Sequence, residues 1–82
     1  MDNVQRITEL FTNLVKMMVD TPDDVHVESV VGEASVMLNL RVAQSDAGEL
    51  IGQSGRTARS LRVILTAMGA TNGVRLHLDI QS

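Results

Sequence analysis

Gly52 and Gly55 bracket Gln53 and Ser54, and Arg56 and Arg59 follow within one helical turn of each other. Glycine reaches positive φ without steric cost and lets another backbone come close. If a helix starts at residue 56, its first N–H groups have no partner inside the helix and point outward. The helix dipole favours an anion at that end, and two guanidiniums stand beside it. Bare amides, a dipole and paired cations together suit a phosphodiester backbone. The plainer alternative is a connector between two helices, with Arg56, Arg59 and Arg62 on a solvated face. Gly48 and Gly52 bracket a helix and are not followed by Lys, so they do not form a P-loop.

Other chemistry is poorly served. No cysteine is present, which excludes disulfides and thiolate metal sites. His26 and His77 fall on polar strand faces, with no cluster of three or four ligands around them. Asp23, Asp24 and Glu28 sit at a turn without an apolar pocket to perturb them. No nucleophile–base arrangement is evident, so neither an enzyme nor a cofactor or metal is expected. Phe11 is the one aromatic residue, which leaves almost nothing for stacking bases.

The net charge of −3 hides an asymmetry. Residues 1–49 hold three basic and nine acidic side chains; residues 50–82 hold four arginines and one acid, Asp79. Local field steers a charged ligand more than total charge does, and the positive third begins at the glycine pair. No apolar run approaches the ~20 residues of a bilayer span. Met1-Asp2-Asn3 lacks the basic start of a signal peptide. A cytoplasmic protein without a membrane partner is expected.

The elements that must position the glycine pair follow from periodicity. Val4, Ile7, Phe11, Leu14 and Met18 predict an amphipathic helix over 3–19, capped by Asp2 or Asn3 and ended by Pro22. Met17 and Met18 read as core gap-fillers. A strand over 25–31 places Val25, Val27 and Val31 on one face and His26 and Glu28 on the other. After a Gly32-Glu33 turn, a strand over 34–42 points Val36, Leu38, Leu40 and Val42 inward and Met37, Asn39 and Arg41 outward. Ser45 or Asp46 caps a short helix over 46–51. The glycine turn breaks it, and a helix over 56–68 resumes with Ala58, Leu61, Leu65 and Met68 on its core stripe. Gly69 stands at its C-terminal cap. Asn72-Gly73 turns into a strand over 74–80, with Val74, Leu76, Leu78 and Ile80 alternating against Arg75, His77 and Asp79. The 82 residues make one domain. Helices covering one face of a three-stranded sheet give a two-layer α+β fold. On the 56–68 helix, Ser60 and Ala67 flank Ile64 beside the core stripe, a pattern that fits a dimer contact.

Leu50-Ile51-Gly52-Gln53-Ser54-Gly55-Arg56, with Ala58 and Leu61, resembles the KH signature of an apolar pair, G-x-x-G and apolar helix positions. The longer run Ile51-Gly52 to Arg62 resembles the short bacterial KhpA (YlqC-type) family, and the likeness covers essentially the whole chain. It implies a type II KH domain of α-β-β-α-α-β order, a mixed three-stranded sheet with three helices on one face. It further implies an RNA chaperone for single-stranded RNA. Such proteins pair with themselves or with a KhpB (Jag/EloR)-like protein, linked to cell elongation and envelope homeostasis. By motif matching, Gly52, Gln53, Ser54 and Gly55 contact the RNA backbone, while Ile51, Ala58 and Leu61 line the base groove or the core beneath it. KH loops usually carry Lys or Arg in a middle position; Gln53 and Ser54 add no charge, and Arg56 and Arg59 are the residues to compensate. A protein-interaction module with vestigial RNA binding is the alternative function.

Overall fold

The computed structural model describes residues 2–81, without the side chains of Gln53 and Ser54. Helix α1 spans Asn3–Lys16. Asp2 starts it: its Oδ1 accepts the Gln5 N–H at 2.7 Å, satisfying one of the orphan donors of the first turn. Ile7, Phe11 and Val15 recur every fourth residue and are buried, with Val4 and Leu14 packed at the margin. The stripe does not continue to Met18. After Lys16 the chain tightens, and the Met17 and Met18 N–H groups donate to the Leu14 and Val15 carbonyls at 3.2 and 2.9 Å. That change of pitch turns both methionines away from the core. Met17 is 87% exposed and Met18 43%, where the sequence predicts interior gap-fillers. Pro22 then opens a single 3-10 turn, Pro22–Asp24.

The sheet holds β1 (His26–Val31), β2 (Val36–Arg41) and β3 (Leu76–Gln81) in the order β1-β2-β3. β1 runs antiparallel to β2, with Ser29 opposite Leu38; β3 runs parallel to β2, with Leu38 opposite Leu78. Val36, Leu38, Leu40, Leu76 and Leu78 are buried on the inner face, while Met37, Arg41, His77 and Asp79 are exposed on the outer one. This is the predicted alternation. β1 departs from it at Val31, which is exposed although predicted inward. Val31 lies beside the first turns of α1, where Asp2, Val4, Gln5, Thr8 and Glu9 leave an open groove over Ser29 and Val31. All three strands are shorter than predicted, but single backbone bonds extend the β2–β3 pairing. The Val36 N–H donates to the Arg75 carbonyl at 2.8 Å and the Val42 N–H to the Gln81 carbonyl at 3.2 Å.

Helix α2, Gln44–Asn72, connects β2 to β3. A parallel pair needs such a crossover. Helices α1 and α2 cover the inner face, completing the predicted α+β layers. The two helices predicted over 46–51 and 56–68 merge into this one 29-residue element. The interruption shrinks from four residues to one. Gly55 has φ 70°, a left-handed value that a continuous right-handed helix cannot hold. Two helical stretches therefore abut at Gly55, with no loop between them.

The C-terminal cap is Gly73, at φ 69°, rather than Gly69. Gly69 is buried inside the last turns. A Cβ there would stand 2.2 Å from the Val74 carbonyl oxygen and 3.3 Å from Leu76. Its missing side chain lets the chain double back, so that the Val74 N–H reaches the Gly69 carbonyl at 2.8 Å and β3 can begin. Gly69→Ala is expected to destabilise the fold by about 2 kcal/mol or more, because the obstacle is backbone. Gly73→Ala should cost about 1 kcal/mol, the strain of a left-handed alanine. Urea denaturation of both variants checks this order; a smaller loss for Gly69→Ala would contradict the packing described.

Candidate functional site

A right-handed helix stacks residues three and four apart on one face. On α2 that rule aligns Ser45, Gly48, Glu49 and Gly52, and these, with Arg56 and Thr57 just past the break at Gly55, line an open groove. Beyond the adjoining residues and the helix's own backbone, no described atom lies within 4 Å of where a Cβ would stand on Gly48 or Gly52. Neither glycine has a positive φ. Nothing in the fold therefore requires glycine at these two positions. Their effect is to bare a strip of helix backbone along the groove floor, within reach of a ligand.

Of the residues predicted for the site, Gly52 and Arg56 line this groove. Gly55 is half-buried at the point where the helix changes hand. Gln53 and Ser54 carry helical backbone, and their side chains lie outside the described residues. Arg59 is exposed but is not among the groove-lining residues. Ile51 is 52% exposed and also lies outside the groove; it belongs to the surface and not to the core. Ala58 and Leu61 are buried, so they support the helix from beneath. The expected row of bare amides across 52–55 is also reduced. The helical assignment runs through these residues, and the chain leaves right-handed geometry at Gly55 alone. Ser45, Gly48, Glu49 and Thr57 are not picked out as site residues by the sequence reading; for the first three, the spacing of three, four and seven from Ser45 to Gly52 along one helical stretch is the signal that finds them.

A second feature of α2 lies further along. Ser60, Ile64 and Ala67 are all exposed, as the dimer expectation requires of them. Val63, on the same face, is 64% exposed, against 39% for Ile64. It is the more prominent apolar side chain of the two.

A family model for the KH domain of KhpA/KhpB matches residues 8–80. Proteins named "RNA-binding protein KhpA" are similar over most of the chain. The one from Borreliella burgdorferi is 44% identical over 72 residues, covering 88% of this chain and 88% of its own. The one from Aquifex aeolicus is 46% identical over 65 residues, covering 79% and 82%. The one from Clostridium perfringens is 38% identical over 72 residues, covering 88% and 96%. This chain belongs to the KhpA/KhpB KH-domain family. No solved structure matches it.

In this KH domain the site helix is anchored by a residue with a different expected role. The sequence predicts Ser45 or Asp46 as a helix cap. The N-cap is Ala43, which makes no side-chain capping bond. Asp46 instead points across the fold. Its Oδ1 accepts the Asp20 N–H and its Oδ2 the Thr21 N–H, both at 3.1 Å. Asp46 is 1% exposed. Two charge-assisted bonds and a place in the first turn of α2 offset the cost of burying its carboxylate. Carboxylate oxygens of Asp20, Asp46 and Glu49 lie within 4.8 Å of one another, so this end of the groove is acidic while the Arg56 end is basic.

Asp46→Ala leaves two backbone donors without their acceptor and is expected to cost about 2–3 kcal/mol. Asp46→Asn, which can satisfy at most one of them, should fall between that variant and the native protein. Thermal unfolding followed by circular dichroism measures both. A native-like transition in the alanine variant would show that the clamp contributes nothing.

Proposed function

We propose that this chain binds single-stranded RNA along α2, with the sugar–phosphate backbone held at the Gly52–Arg56 end of the groove. The observation that carries the reading is the pair of glycines that the fold itself does not need, opening the helix backbone beside Arg56. Family membership and the printed names of the relatives support it. Charge comes from Arg56 and Arg59, beside the helix backbone that Gly52 leaves bare. Gln53 and Ser54 add hydrogen-bonding capacity without charge. One such domain grips about four nucleotides, so affinity for a single site is low. The reading is of a binding protein and not an enzyme, acting in the cytoplasm as an RNA chaperone. Its sequence resemblance extends this to post-transcriptional regulation with a KhpB-type partner, linked to cell elongation and envelope homeostasis.

Gly48→Ala separates the fold from this function. At an exposed helix position it should raise stability by about 0.5–1 kcal/mol, yet place a methyl group in the groove and weaken RNA binding. Arg56→Ala should weaken binding of all sequences alike and lower the slope of log K against log salt by about 0.7, one phosphate contact on a single strand. Fluorescence anisotropy with a labelled RNA over a salt series reads both. Undiminished binding by both variants would rule the groove out.

The exposed Val63 and Ile64, flanked by Ser60 and Ala67, favour self-association through this face of α2, the small residues letting a second helix come close. A dimer would carry two weak RNA sites and gain avidity through effective concentration. Val63→Asp and Ile64→Asp are each expected to shift the mass in solution from dimer to monomer, as read by light scattering. A native protein that is already monomeric, or a dimer indifferent to both substitutions, would remove this interface.

A further inference from the structure

β1 is an edge strand. It pairs with β2 on one side and, among the described residues, with no strand on the other. In an antiparallel ladder, opposite residues alternate between exchanging both backbone bonds and exchanging none. The Gly32 N–H donates to the Ser35 carbonyl at 2.8 Å, which marks that pair as bonded. The Val36 N–H turns the other way, to the Arg75 carbonyl at the start of β3. Val31, opposite Val36, is therefore in a non-bonded pair. Ser29 opposite Leu38 and Val27 opposite Leu40 follow by the same alternation. The N–H and carbonyl groups of Val27, Ser29 and Val31 thus point out from the open edge.

Folded proteins blunt such an edge with lysine, proline or a bulge. β1 contains neither lysine nor proline, and its register with β2 runs unbroken from His26 to Val31. The groove between α1 and β1 lies beside this edge, with Ser29 and Val31 on one side and Val4 and Thr8 on the other. An extended chain laid along β1 meets the free backbone groups and sends every second side chain into the groove, next to Val4 and the exposed Val31.

Charge selects among the chains that could lie there. Asp2 and Glu9 line the groove, and no basic residue does. Arg6 is exposed on α1 but is not part of the lining. Glu28 is exposed on the outer face of the same strand. An incoming strand that carries lysine or arginine at alternate positions meets acids on both sides of the sheet edge. A nucleic-acid strand meets repulsion there. A second copy of β1 brings the same acids against each other, and like-charge juxtaposition disfavours that pairing.

We propose that the β1 edge and the groove beside it dock an extended segment of a partner protein, with apolar and basic residues in alternation, which adds to the sheet as a fourth strand. This surface is separate from the groove on α2, and the inference does not rest on RNA binding.

The probe is a synthetic peptide of alternating valine and lysine, blocked at both ends and about as long as the six-residue β1. A second peptide carries glutamate in place of lysine. In a titration followed by amide NMR spectra, the lysine peptide should shift the signals of Val27, Ser29 and Val31 and leave those of Gly52 and Arg56 in place. The glutamate peptide should bind about tenfold more weakly, the cost of reversing the charge match. Val31→Lys changes an exposed side chain and should weaken the lysine peptide about tenfold while RNA binding is unchanged. Ser29→Pro removes an N–H that faces away from β2, a position where an edge strand tolerates proline, and should abolish peptide binding. Methylating the edge-facing amides of the peptide should give the same loss with the native protein, which keeps the test open if the proline variant does not fold. An absence of shifts at the β1 amides, or equal binding of the two peptides, would overturn the proposal. Shifts confined to α2 would do the same. If single-stranded RNA moves the β1 signals, the edge is a nucleic-acid surface instead. If the native protein forms a dimer that Val31→Lys dissociates, the occupant is a second copy, and the proposal fails on that ground.

Discussion

The buried carboxylate of Asp46 is the tie on which the placement of the site depends. It sits three residues after the N-cap of α2 and reaches back to two amides in the chain that leaves α1. Elsewhere the two helices meet mainly through the shared core above the sheet, where apolar contacts have no direction. Two hydrogen bonds to fixed amides supply that direction. Apolar packing settles that α2 lies on the sheet; Asp46 settles how it is rotated. Because the groove is one stripe of that helix, rotation decides which side chains face it. Ala43 at the N-cap leaves Asp46 free for this use, since the helix start does not draw its carboxylate back.

The glycines divide by what a side chain would meet at each. Gly69 is required by sterics, because the Val74 carbonyl occupies the space of its Cβ. Gly73 and Gly55 are required by dihedral angle. Gly48 and Gly52 are required by neither, and each weakens its helix relative to alanine. A local cost without a structural reason marks a position shaped by something outside the chain. On α2 these two positions are where the groove lies.

Much of this arrangement is legible in the sequence, and the parts that are not share a physical origin. The alternation of β2 and β3 and the α1 stripe from Val4 to Leu14 depend on periods that a local window captures. The charge asymmetry, and the link between Gly52 and Arg56, are equally local. Met17 and Met18 misread because one tightened turn, invisible in composition, shifts the helical phase. Gly69 and Gly73 are both plausible caps by position, and only the fold-back of Val74 separates them. Asp46 fits a helix cap by spacing, while its true partners lie more than twenty residues away. Ser45, Gly48 and Glu49 are not read as site residues because a helix assumed to stop at Ile51 gives no reason to continue one stripe from Ser45 to Gly52.

The connectivity of β2 and β3 bears on how the molecule opens. Their parallel pairing can form only after the intervening segment has been drawn across the sheet, and that segment is α2, the element that carries the groove. Melting α2 lengthens the loop between the two strands into a flexible tether and removes the cover over Leu76 and Leu78. The groove is thus built into the cooperative unit of the fold, where local opening approaches the free energy of global unfolding. In an amide-exchange experiment, protection along the middle of α2 would track that of the central strand, and the tightened segment after Lys16 would be the first to release.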